Sequence, residues 1–232
     1  MRITDDLWNR NPVGRPENTI QGETWRFTLL TDRLIRMEYQ EDGQFEDRPS
    51  QVVWNRYFET VPYRVTEKKA ENDAAGGFEV YTERMHVSYD GMPFSGNGLS
   101  VKAAGGLHPY GTAWRYGDVS GNGTLFGNLG GTARTLDEVN GACKLEDGIL
   151  SLSGCALLKD SSSLVLTEDG WIEPRKCDGI DMYLFVYGCD YKEALRDFYR
   201  LTGETPMLPR YALGNWWSRY YAYSEETYMG LI

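Results

Sequence analysis

The side chains in this sequence best equipped for recognition are aromatic and acidic. Seven Trp and 16 Tyr stand among 232 residues, and the flat faces of such rings suit the apolar side of a sugar. Other chemistries find less to work with. His86 and His108 are the only histidines, which argues against a His-rich metal site or a catalytic triad; each reads as a strand or loop residue. Cys143, Cys155, Cys177 and Cys189 contain no C-x2-4-C pair of the kind zinc favours. They read as reduced, structural thiols packing as small hydrophobes. The run GNGTLFGNLGG, from Gly121 to Gly131, does not fit G-x-x-x-x-G-K-[ST] and has no strand-to-helix context, so it reads as a turn-rich loop. No metal and no cofactor are expected.

The formal net charge is −10 and the sequence pI about 4.8, so a phosphate backbone or an anionic membrane would be repelled by most of the surface. Nucleic acid and membrane are not expected partners. Met1 to Arg10 carries Asp5, Asp6 and Trp8 where a secretory signal needs a cationic start and an apolar run. No stretch approaches the roughly 20 apolar residues of a membrane span, and a soluble, cytoplasmic protein is the default expectation.

The elements that must position any site are mostly strands. Aromatic residues at 13 %, with 26 Gly and 9 Pro as punctuation, describe a β protein. WRFTLL and RLIRMEYQ, within Trp25 to Gln40, predict two strands turning at Thr31-Asp32. Ile35, Met37 and Tyr39 alternate with Arg36, Glu38 and Gln40, which predicts a sheet with one wet face. Further strands are expected at Gln51 to Tyr57, Phe78 to Thr82, Met85 to Tyr89, Ile149 to Leu152, Ser163 to Thr167 and Met182 to Tyr187, with a long hairpin turn or mobile loop over Glu67 to Gly77.

A helix is predicted over Tyr191 to Thr202, with Asp190 as N-cap and Gly203 as its stop. Its stripe of Tyr191, Ala194, Leu195, Phe198 and Leu201 predicts one packed face. TPMLPR follows, a stiff extended connection that marks a domain boundary. Beyond it YALGNWW, Tyr211 to Trp217, predicts a strand, and Ser224 opens a second helix whose first turn holds Glu225 and Glu226. The chain ends inside that helix with Tyr228, Leu231 and Ile232 on one face, so a truncated protein with further strands and helices downstream is expected.

The segment DYKEALRDFYRLTGETPMLPRYALGNWWSRYYAYSEETYMGLI, Asp190 to Ile232, resembles the junction of family 31 glycoside hydrolases, where a helix ending in LTG and a proline-rich bridge lead into the first barrel strand. GNLGGTARTLDEVNG, LEDGILSLSGCALLKDSSS and LTEDGWIEPR are similar to the N-terminal domain of bacterial members. The resemblance implies a galactose-mutarotase-like β-sandwich over residues 1–205, including the linking helix near 190–202, and the start of a (β/α)8 barrel over 206–232. The parent would be a retaining α-glycosidase of the α-glucosidase type, acting on terminal α-linked sugars of an oligosaccharide or glycoside. Retaining hydrolysis needs two carboxyl groups about 5 Å apart, which the family carries on later barrel strands. A barrel takes about 250 residues, so this chain is expected to hold no catalytic residue and to be inactive alone.

The resemblance also implies substrate-positioning residues. The end of the first barrel strand would place Trp217, Arg219, Tyr220 and Tyr223 at the sugar pocket, the rings covering a pyranose face and the guanidinium donating to hydroxyls. A loop of the N-terminal domain reaches over that pocket in the family, and Asp137 or Asp147 would supply its acceptor carboxylate. The same two residues also suit ordinary turns. The alternative reading is a stand-alone carbohydrate-binding β-sandwich; a mutarotase-like enzyme follows from fold analogy alone and lacks a suitable His context.

Overall fold

In the computed structural model, which describes residues 11–68, 76–105, 112–118, 127–133, 135–176, 178–205, 207–215 and 220–231, the period-two pattern of the Trp25 to Gln40 stretch becomes two paired strands. The strands are β1 (Thr19–Gln21), β2 (Trp25–Leu29), β3 (Leu34–Tyr39), β4 (Arg64–Glu67), β5 (Phe78–Tyr81), β6 (Met85–Tyr89), β7 (Leu99–Ala103), β8 (Ala113–Arg115), β9 (Cys155–Lys159), β10 (Val165–Leu166), β11 (Ile172–Glu173) and β12 (Ile180–Val186). The helices are α1 (Tyr191–Thr202) and α2 (Glu225–Met229).

Two antiparallel five-stranded sheets, ordered β1-β2-β3-β12-β9 and β4-β5-β6-β7-β8, face each other, and β10 and β11 form a small third sheet. The chain is mainly β and a sandwich. Its core is built from the alternate residues of both sheets: Phe27, Met37 and Leu184 from one meet Val80, Val87 and Trp114 from the other. β3 and β12 are distant in sequence yet pair from Ile180 against Tyr39 to Phe185 against Leu34.

A second apolar cluster lies on the outer face of the first sheet, where Leu34, Tyr183 and Phe185 meet Val53, Phe58 and, from α1, Ala194 and Leu201. That sheet is therefore covered on both sides. The sequence stripe assigned Leu195 to the packed face of α1, but Leu195 is exposed and Asp197 is buried instead. The reason is a hydrogen bond: the Tyr187 hydroxyl donates to Asp197 at 2.6 Å, so the helix turns that side inward. Asp190 precedes the helix without capping it through its side chain; it pairs with Arg33 at 2.6 Å. Gly203 ends the helix at φ 93°, a conformation that glycine adopts without Cβ strain.

Two predicted strands are only fragments. Gln51 to Tyr57 keeps a single ladder contact, Asn55 against Asn11, because the Ser50 hydroxyl accepts from the amides of Val52 and Val53 and curls the chain. Around Ile149 to Leu152 only Ser151 bridges, to Asn128. Instead of the strand expected from Tyr211, residues Arg210–Leu213 form a 3-10 turn closed by Ala212 N–H to Pro209 and Gly214 N–H to Tyr211. A strand requires a neighbour to complete its hydrogen bonds; here the backbone satisfies itself locally. Trp216 and Trp217 lie outside the described residues. The second helix starts where expected, with a capping box between Ser224 and Thr227.

Burial raises several acidic hydrogens beyond their ordinary range. Tyr89, Tyr183 and Tyr187 are shifted well up by burial, the last also by its bond to Asp197, and burial pushes the Cys155 thiol up to about 12. Because the folded values exceed the unfolded ones of about 10 for Tyr and about 8.5 for Cys, their contribution is complete below those pH values and is lost as pH rises toward the folded ones. The urea midpoint is expected to hold level from pH 7 to 8 and to fall steadily above about pH 9. A midpoint unchanged up to about pH 11 would contradict the burial of these four groups.

Candidate functional site

The face predicted to be wet is dry. Arg36 and Glu38 are each 1 % exposed, lying on the outer side of the first sheet where the segment from Glu46 to Arg56 and Arg175 cover them. Cross-strand register explains the arrangement: Arg26 stands opposite Glu38, and Glu38 opposite Asp181. Arg26 donates to Glu38 through Nε at 2.6 Å and Nη2 at 2.9 Å, and reaches Asp47 at 2.7 Å. Arg36 grips Asp181 in a fork at 2.9 and 2.8 Å and gives a further bond to the Glu46 carbonyl at 2.7 Å. Arg175 bridges Asp181 and Asp160 at 3.0 and 2.7 Å, while Arg56 donates to the Tyr183 hydroxyl at 2.6 Å.

The electrostatics follow from this pairing. Burial opposes ionisation of Asp181, but Arg36, Arg56 and Arg175 outweigh it and hold the carboxyl below the usual carboxylate range. Burial would lower Arg36; Asp181 and Glu38 reverse that and keep its guanidinium charged. Glu38 and Asp160 are raised, by burial first and then by their acidic neighbour Asp181. Solvent does not reach Asp160 or Asp181, so the cluster is suited to locking the covering segment to the sheet and offers a substrate no approach. The alternation of β3 alone cannot distinguish charges facing water from charges facing one another.

The residues implicated in sugar contact occupy different surroundings. Trp217 and Arg219 lie outside the described residues, as do His108 and Cys177. Tyr220 is fully exposed. Tyr223 is half-buried, with edge contacts to Tyr221 at 4.8 Å and Tyr228 at 6.0 Å. Asp137 and Asp147 are both exposed and both belong to one arm. The arm's stem is a ladder in which Leu152 N–H donates to Gly127, Leu129 N–H to Leu150, and Gly131 N–H to Glu146. Asn128 braces it, accepting from the amides of Gly130 and Gly148 and donating to the Gly148 carbonyl. Asp147 sits on the stem; Asp137 sits in the turn from Leu136 to Val139, next to Glu138 at φ 61°.

The arm carries exposed Leu129, Leu136, Leu145 and Leu152, and the tail beyond α1 exposes Met207, Leu208, Tyr211, Leu213, Tyr221, Met229 and Leu231. Of the cysteines, Cys155 is buried, Cys143 half-buried and Cys189 exposed, so the core reading holds for Cys155 alone of these three. His86 stacks on Tyr81 with ring centroids 4.3 Å apart, on strand β6. Among the described residues no group of three or more His, Cys, Asp or Glu is placed to hold a metal ion, and no helix is long and apolar enough to cross a membrane.

No protein-family model matches this chain, and no curated protein does. Among solved structures it is similar to the family 31 glycoside hydrolase dextranase of Flavobacterium johnsoniae in complex with glucose, at 16 % identity and a TM-score of 0.45 over 86 % of this chain. A mutant of that dextranase in complex with isomaltotriose gives 16 % identity and a TM-score of 0.44 over the same share. The chain spans 27 % of the length of each.

Proposed function

We propose that this chain is the N-terminal sandwich region, residues 1–205, and the first barrel residues, 206–232, of a retaining α-glycosidase of family 31, in which it supports a catalytic barrel and does not itself break bonds. The observation that carries the reading is where the apolar surface lies. The sandwich closes its own core, yet large apolar side chains stay exposed on the arm and on the tail after α1: Tyr211 is 75 % and Leu213 73 % exposed. Large apolar side chains exposed in this number along two segments suit surface that another body covers. The motif resemblance of the tail supplies the body, a (β/α)8 barrel, and with it the expected contacts of Trp217, Arg219, Tyr220 and Tyr223 to a sugar, with Asp137 or Asp147 reaching in from the arm.

The test is turnover of aryl α-glucosides. The 232-residue chain is expected to hydrolyse none, and a reading frame extended to include a barrel is expected to restore activity; turnover by the chain alone overturns the proposal. A stand-alone carbohydrate-binding sandwich is the second reading, favoured by the completeness of the core without the tail, and it predicts no gain of hydrolysis from any extension. Cytoplasmic residence belongs to the same proposal.

A further inference from the structure

We infer that the open end of the sandwich is a binding groove for a neutral oligosaccharide. Two clefts meet there. One, of about 490 Å³, lies between Tyr39, Gln40 and Asp42 on one side and Phe94 and Asp178 on the other; the second, of about 240 Å³, lies between Trp114, Tyr116 and Asp118 and the edge-strand residue Lys159. They adjoin at Ile180, which lines both. Neither uses Tyr220, Tyr223, Asp137 or Asp147.

Four rings run in a row beneath the two clefts. Tyr39 to Phe94 is 5.6 Å between centroids, Phe94 to Tyr116 is 5.7 Å, and Tyr116 to Trp114 is 6.5 Å. Phe94 and Trp114 anchor the row in the core, whereas Tyr39 and Tyr116 are half-buried and keep ring surface available. Flat apolar surface flanked by polar groups suits pyranose rings, whose two faces are apolar and whose edges carry hydroxyls.

The rim determines the ligand class. Lys176 and Lys159 stand with Glu41, Asp42, Asp178 and Asp118, so hydrogen-bond donors and acceptors are mixed and the acidic excess disfavours a phosphate. Buried polar groups point the same way. Gln40 is 5 % exposed, lines the larger cleft and packs so closely on Gly179 that a Cβ there would meet its amide at 1.9 to 2.1 Å; that amide carries both donors and an acceptor. The indole N–H of Trp114 is buried behind the cleft wall and has no acceptor among the described residues. An amide at the wall of a cleft, offering both donor and acceptor, suits the hydroxyls of a sugar.

Calorimetric or NMR titration of the whole chain with isomaltotriose, maltotriose and glucose tests this. A trisaccharide is expected to bind saturably with Kd of about 1 mM or tighter, and glucose at least about tenfold more weakly. Tyr116→Ala and Asp178→Ala are each expected to weaken trisaccharide binding by about fivefold or more. Asp178 is exposed, so its variant keeps the test decisive if Tyr116→Ala does not fold. Loss of binding in either folded variant supports the groove; no saturable binding, or binding unchanged in every folded variant, overturns it. The readout is binding, so its outcome is independent of the turnover assay.

Discussion

Arg36→Met is expected to cost about 3–5 kcal/mol of unfolding free energy, the loss that follows when one partner of a buried ion pair is removed. With a urea slope of about 2 kcal/mol per M, the midpoint would fall by about 2 M. The size follows from what the variant leaves behind. Arg36 holds both Asp181 oxygens, touches Glu38 at 2.9 Å and satisfies the Glu46 carbonyl. Without it Asp181 keeps Arg175 and Glu38 keeps Arg26, but both carboxylates are 1 % exposed and lose their shared cation. Arg36→Lys keeps the charge and loses the planar fork, so its cost should be intermediate. Arg48 supplies the comparison: it is half-buried, with Glu173 nearer solvent and Glu46 buried as partners, and Arg48→Met should cost less, about 1–2 kcal/mol. Equal costs for Arg36→Met and Arg48→Met would mean that the outer face is as wet as its alternation predicts.

Phe27→Ala should cost a similar amount, about 3–5 kcal/mol, through a different mechanism. Phe27 is 0 % exposed at the centre of the sandwich. Its ring meets Tyr89 at 5.1 Å, Phe78 at 5.2 Å, Phe94 at 5.7 Å and Trp25 at 5.8 Å. Truncation opens a cavity whose walls come from both sheets, and close packing leaves little room for those walls to collapse. Phe27→Leu should recover more than half of the loss, because most of the volume is kept. Equilibrium urea unfolding checks both, and a cost under about 1 kcal/mol for Phe27→Ala would show that the two sheets do not share one core.

Much of the strand layout was legible. Alternation between Trp25 and Gln40 marked β2 and β3, and the 3.6-residue stripe with Gly203 marked α1 at both ends. Short strands such as β8, three residues in AWR, escaped because so few residues carry no period. The extended segment from Gln51 failed for another reason: Ser50 competes for the backbone amides that a ladder would use.

The candidate site divides in the same way. Asp137 and Asp147 were visible as acidic residues near turns, but only the ladder from Gly127 to Leu152 places one on a stem and the other in its distal turn. The row of Tyr39, Phe94, Tyr116 and Trp114 had no local signature, since its members come from β3, the loop before β7, and β8 with the turn after it. The place of the Gln40 amide depends on its close packing against Gly179, 139 positions away in sequence numbering.

By itself the sequence determined the β class, α1 with its glycine stop, the capped start of α2 and the acidic surface, because each is set by residues within a few positions of one another. Tertiary structure decided which alternating face is buried, which way α1 turns, and which rings line one groove. Those depend on pairings such as Arg36 with Asp181 and Tyr187 with Asp197. A charge is stable in a core only when its partner is delivered there by the fold.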